Sequence, residues 1–254
     1  MRSKYPTRVD LGRSATRRPI GRAVRARNMA GILPRVTVPE VPKWAMPWVP
    51  PTGHVTQEAL RALDRPLLAW PNGEFDAEEY YEGFPASEIS ALEREVRKLG
   101  TRPTWRMERV WFPDDEASAE ETAAYEAACR DVAGRLIVPR CLDAYAMEAY
   151  AAAGLGDGED PADADLDDED LDEALAWAEA GVCVLQQSLP WPFTDCLPYS
   201  ELDNRPAHRI LYAYASLLSR RHPRKAAPFF RAMVYSNPPD NMGARFTAPG
   251  GRRS

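Results

Sequence analysis

LYAYASLLSRRHPRKAAPFFRAMVYSNP, residues 211–238, reads as two amphipathic helices joined by a short turn and stopped by a proline. Its parts recur upstream. LDAYA (142–146) matches LYAYA (211–215) at an offset of 69 residues, and EALAWAEAGV (173–182) matches KAAPFFRAMV (225–234) at an offset of 52. In each pair the large residues and the alanines fall in the same places. The difference of 17 is the length of an acidic segment, DGEDPADADLDDEDLDE (157–173). The chain therefore holds two helix–turn–helix units, the first with an acidic insertion in its turn. Duplication on this scale predicts stacked helical repeats.

The matching residues resemble the tetratricopeptide repeat (TPR). The second unit supplies Leu211, Tyr214, Ala215 and Leu218 in its first helix, Ala226, Phe229 and Phe230 in its second, and a closing Pro238. The first supplies Leu142, Tyr145, Ala146, Ala174, Trp177 and Gly181. Small residues at these positions let the helices approach, and aromatics fill the gap to the next unit. Met233 stands where the family has a small residue, the second turn is one residue short, and the first unit lacks its closing proline. The ending NPPDNMGAR (237–245) resembles the tail after the terminal repeat in some TPR-containing proteins, the suppressor-of-tumorigenicity-seven type among them. The resemblance spans roughly residues 140–241. It implies an adaptor or scaffold that holds a peptide or protein segment on a concave face lined by first helices. Residue by residue it places Arg209, Tyr212, Ser216 and Arg220 on that face, with Asp143 and Met147 from the first unit. Ala213 and Ser216 occupy the asparagine positions of the chaperone-binding carboxylate clamp, so binding of chaperone tails is not implied.

Outward from the repeats, the expectation is an all-α fold in which two hairpins stack on preceding helices. Residues 1–50 are expected as a disordered basic arm, 51–116 as a mixed helical and irregular region, 117–246 as the repeat domain with its insertion at 157–173, and 247–254 as a flexible tail. The net charge of −6 conceals an asymmetry: residues 1–44 carry 11 Lys and Arg against 2 Asp and Glu. A basic arm on an acidic body suits an anionic partner, so a nucleic-acid-associated protein using residues 1–44 is the alternative reading. The arm also has the composition of a mitochondrial transit peptide, and Met29 offers a later start. A cytoplasmic address is expected, with the mitochondrial matrix as its alternative.

Between the arm and the repeats the helical signals are interrupted. Leu60, Leu63 and Leu67 have helical spacing broken by Pro66. Asp76 and Glu79 predict a short capped helix. Ile89, Leu92, Val96 and Leu99 predict another, ended by Gly100. WRMERVWF (105–112) reads as either a strand or an extended stretch. Ser118 and Glu121 cap a further helix with Tyr125, Cys129, Val132 and Leu136 on one face.

Signals for catalysis are weak. His54, His208 and His222 stand in separate contexts, and no nucleophile elbow, zincin pair or phosphate loop is present. The four cysteines form no close pair and read as buried reduced thiols. Asp163, Asp165 and Asp167 alternate like calcium ligands, but Asp168 and Ala174 fall where an EF-hand needs Gly and Glu. No enzyme, metal or cofactor is expected. No run approaches the roughly 20 apolar residues of a membrane span, and the expected partner is a protein or peptide, acidic in character if Arg209 and Arg220 bind it. The segment SLPWPFTDCLPYSELDN (188–204) either folds back over the repeats or offers an aromatic patch.

Overall fold

A computed structural model describes residues 41–51, 67–108, 118–120, 123, 141–155 and 167–248. These lie within one compact unit, Glu40–Ser254. The expectations for residues 1–40, for His54, Leu60 and Leu63, for the face bearing Tyr125 to Leu136, for 156–166 and for 249–254 fall outside them.

Helices predominate. The elements are strand β1 (Ala69–Asp76), helices α1 (Ala77–Glu82) and α2 (Ala91–Arg97), strand β2 (Thr101–Met107), and helices α3 (Leu142–Ala152), α4 (Asp168–Ser188), α5 (Arg205–Arg221) and α6 (Pro223–Ser236). The all-α expectation therefore needs one correction: β1 and β2 form a two-stranded antiparallel sheet. Its register runs from Asp76 opposite Thr101 to Ala69 opposite Met107, with an irregularity between Pro71 and Glu74 where Gly73 takes a φ of 119°. β2 begins before WRMERVWF and takes in Trp105, Arg106 and Met107, which settles the strand alternative for those residues. Pro71 and Gly73 deprive β1 of the apolar alternation by which a strand is recognised.

The cap expected at Asp76 is present, and a second, at Ser90, opens the next helix, which ends at Arg97, short of the expected Gly100. Asp76 accepts from the backbone N–H groups of Glu78 and Glu79. Ser90 and Glu93 form a reciprocal capping box, and Ile89, Leu92 and Val96 are buried behind it.

α3 packs on α4 and α5, and α5 packs on α4 and α6. The aligned residues of the two hairpins occupy equivalent surroundings. Leu142 and Leu211, Ala146 and Ala215, and Ala174 and Ala226 are all buried. Tyr145 meets Trp177 at 6.5 Å between ring centroids, and its counterpart Tyr214 meets Phe229 at 5.1 Å. Gly181 sits where three helices converge: a Cβ there would lie 2.5 Å from the Ile210 side chain and 2.7 Å from Tyr145 Cβ. This explains a residue that otherwise weakens a helix by about 1 kcal/mol relative to Ala.

Two sequence expectations change at segment edges. α4 starts inside the acidic segment, so residues 168–173 are helix and not turn; Asp167 caps it by accepting from Glu169 and Asp170. Acidic residues suit the positive end of a helix dipole, which is why this end of the acidic segment can wind. Residues 41–50, assigned to the disordered arm, instead pack on the body with Ala45, Met46 and Val49 buried.

These irregular segments carry backbone polar groups that need partners once buried. Amide side chains supply several. Gln186 takes both the N–H (2.9 Å) and the carbonyl (2.5 Å) of Val49. Asn204 accepts from Met107 N–H and donates to the Trp105 and Pro198 carbonyls. Asn237 accepts from Tyr199 N–H. Arg102, buried, donates to the Thr194 and Tyr235 carbonyls, the latter among the carbonyls at the end of α6 that lack a helical partner.

Candidate functional site

α5 is packed by α3 on one side and by α4 and α6 on others, so only a narrow strip of it reaches the surface. That strip and the neighbouring part of α3 hold most of the residues implicated by the repeat pattern. Arg209 on α5 bonds Asp143 on α3, its Nη1 donating to both carboxylate oxygens at 2.7 Å. The pair joins the first helices of the two hairpins side by side. Burial lowers the Arg209 pKa, but Asp143 and, less strongly, Tyr199 outweigh it and hold the guanidinium above its ordinary value.

Four residues beyond Asp143, Met147 is 48% exposed. Three residues beyond Arg209, Tyr212 is half-buried and meets Phe230 edge-on at 6.1 Å. Asp143 and Arg209 are thus brought together, and Met147 and Tyr212 keep part of their surface about one turn further along the same two helices. Ser216 does not join them. It is 1% exposed, and its carbonyl accepts from Ser219 Oγ. One helical turn along α5, the strip has rotated into the helix packing, which removes Ser216 from the binding set. Arg220 lies half-buried beyond that break, near the C-terminal end of α5.

Neighbours outside the repeat pattern complete the surroundings. Tyr199, from the segment between the hairpins, lies under Arg205, whose guanidinium carbon is 5.0 Å from the ring centroid and whose Nε donates to the Tyr199 carbonyl. The Tyr199 ring also meets His208 at 5.7 Å. His208 is fully buried; its Nε2 lies 2.6 Å from the Leu197 carbonyl, so the neutral ring carries its hydrogen there. Nδ1 is buried without a hydrogen-bond partner, and desolvation brings the His208 pKa down to about 4. A neutral, enclosed imidazole of this kind holds structure and is not placed to exchange protons with a substrate.

The segment 188–204 folds back over the body and leaves one aromatic pair exposed. Phe193, Cys196 and Leu197 are buried, and Cys196 exchanges backbone hydrogen bonds with Pro103 and Trp105 along the open edge of β2. Trp191 remains 43% exposed and meets Trp48, 46% exposed, at 5.0 Å. Cys141, Cys183 and Cys196 are buried free thiols, and burial pushes Cys183 up to about 12 and Cys196 up to about 11. Thiols held protonated in this way are poor nucleophiles. Among the described residues no helix is long and apolar enough to cross a membrane.

No protein-family model matches the chain, and no curated protein or solved structure is significantly similar to it. The likeness to the TPR pattern therefore rests on the residues themselves.

Proposed function

We propose that this protein is a non-catalytic adaptor or scaffold that holds a peptide or protein segment on the surface shared by α3 and α5. The observation that carries this reading is the Asp143–Arg209 pair, which joins the first helices of the two hairpins, with Met147 and Tyr212 about one turn further along them. An exposed methionine and a half-exposed tyrosine beside a charged pair are the composition of a protein-binding patch, because flexible and aromatic side chains give contact area and the charges give orientation. The packing order of the four helices, with a tyrosine–aromatic contact in each hairpin, agrees with the TPR resemblance in the sequence.

The test is affinity capture with the intact chain and with a Met147→Glu/Tyr212→Ala variant whose circular dichroism matches the wild type. Partners held by the wild type and lost by the folded variant support the adaptor face. Partners held equally by both place binding elsewhere, with the Trp48–Trp191 pair the next surface to alter.

A further inference from the structure

We infer that the α3–α5 face recognises an acidic peptide through Arg209, and that Asp143 is a resident carboxylate which weakens that recognition by occupying part of the guanidinium. This rests on the adaptor reading and adds the chemistry of the partner.

The geometry of the pair is the starting point. A carboxylate that takes an arginine fully uses two nitrogens in parallel. Asp143 instead brings both oxygens to one nitrogen, Nη1. It holds one nitrogen, Tyr199 adds a further hydrogen bond to the group, and an incoming carboxylate has to compete with both. Arg209 is also the more exposed partner, its side chain at 42% against 25% for Asp143.

Local charge points the same way. Arg205 lies four residues before Arg209, on the same side of α5, and is held in place by Tyr199. α5 therefore carries two guanidinium groups one turn apart, of which one is bonded by Asp143. The first turn of α5 contains no acidic residue to offset the positive end of the helix. The nearby Asp203 is engaged by Arg106 at 2.6 Å. Met147 and Tyr212 lie about one turn further along α3 and α5 than the charged pair, so the matching ligand combines carboxylates with apolar side chains. A basic peptide would face two cations here. The body is acidic as a whole, so binding of an acidic peptide must come from short-range pairing and not from a long-range field.

The test uses the full chain at about 0.15 M salt, where the Debye length is about 8 Å. The probes are a short fluorescein-labelled peptide of Glu, Gly and Leu, its counterpart with Gln for Glu, and a single-stranded oligonucleotide, all read by fluorescence anisotropy. The Glu peptide is expected to bind at least about tenfold more tightly than the Gln peptide. Arg209→Gln should weaken it about tenfold, Arg209→Lys should fall between, and Asp143→Asn should tighten it about three- to tenfold. Arg224→Gln, an exposed cation on α6, should change nothing, and the arm at residues 1–40 is common to every variant.

Unchanged binding in Arg209→Gln, weaker binding in Asp143→Asn, or failure of the Glu peptide to bind overturns the inference. If both peptides bind equally and Met147→Glu weakens both, the adaptor face stands and its acidic preference falls. If the oligonucleotide competes through Arg209 as well as the peptide does, the partner is a nucleic acid, which also overturns it.

Discussion

The two hairpins are built from aligned residues but connect their helices in opposite ways. α5 passes to α6 through a single residue, His222, whose N–H closes on Leu218 and whose carbonyl takes the N–H groups of Lys225 and Ala226. Pro223 follows at the first helical position, where its missing donor costs nothing. α3 and α4 are joined by a 15-residue connection, Ala153–Asp167, and α4 opens on a row of carboxylates clipped by Arg221 of the second hairpin. The tight turn needs no help from outside. The first turn of α4 is held by charge, its acidic residues against the basic end of α5, so that both helix dipoles are complemented. A repeat can therefore accept a long insertion at its turn when the helices on either side keep their spacing.

The comparison extends to the helix contacts. Gly181 and Met233 are aligned, yet one has no side chain and the other a long one. Gly181 faces two helices at once, α3 and α5. Met233 belongs to α6, where the series of hairpins stops and α2 packs instead.

The largest effect that would break this equivalence lies in the aromatic contacts. Phe229→Ala should cost about 3–5 kcal/mol in denaturant unfolding. Trp177→Ala, at a half-buried ring, should cost less. A reversed order would mean that the first hairpin, not the second, carries the core.

Next in size is acid sensitivity, a property of the second hairpin. The folded pKa of His208 is about 4 against 6.5 for the free group, so the unfolded chain binds the proton first. Stability contributed by the neutral ring is complete above pH 6.5 and is lost as the pH falls from there towards 4. The full loss corresponds to roughly 3 kcal/mol. Urea titrations at pH 7 and pH 4.5 should show a steeper decline for the wild type than for His208→Asn. Parallel declines would show that His208 does not set the acid response.

Gly181→Ala and Met233→Ala sharpen the contrast from opposite directions. The first adds an atom where there is no room and should cost about 1–3 kcal/mol. The second removes packed atoms and should cost about 2–5 kcal/mol, at the low end if α2 closes on the gap. A neutral Gly181→Ala would show that α4 has slack against α3 and α5. The smallest effect belongs to Arg221→Ala, since the pair is largely exposed: a slight fall in melting temperature that disappears in high salt.

What the sequence made legible follows from where each signal resides. The hairpins were readable because small and large residues recur on helical spacing, and LDAYA and LYAYA repeat it in register. The cap at Asp76 was readable because it is local to one turn. The packing of residues 41–50 was not, since it depends on Gln186, which is 137 residues away, and extended backbone rich in proline has no period. β1 was hidden by Pro71 and Gly73. At the candidate site Asp143, Met147, Arg209 and Tyr212 kept part of their surface exposed. Ser216 did not, because a stripe drawn on an isolated α5 ignores the three helices that surround it. Tyr199 and Arg205 could be placed only once the segment between the hairpins was seen to fold back.

The tie between NPPDNMGARF (237–246) and the first helices also shapes how the protein is made. Tyr81 donates to the Pro238 carbonyl, Glu93 pairs with Arg245, and Glu95 takes both Arg231 and Tyr235. Asp240 locks the turn by accepting from Ala244 and Arg245. These contacts span 136 to 157 residues of sequence. A ribosome that has released α1 and α2 must still deliver both hairpins before those helices find their buried side, whereas each hairpin can close as soon as its own second helix emerges. Folding order on the ribosome should thus run against chain order, with the early segments held open until the late ones arrive.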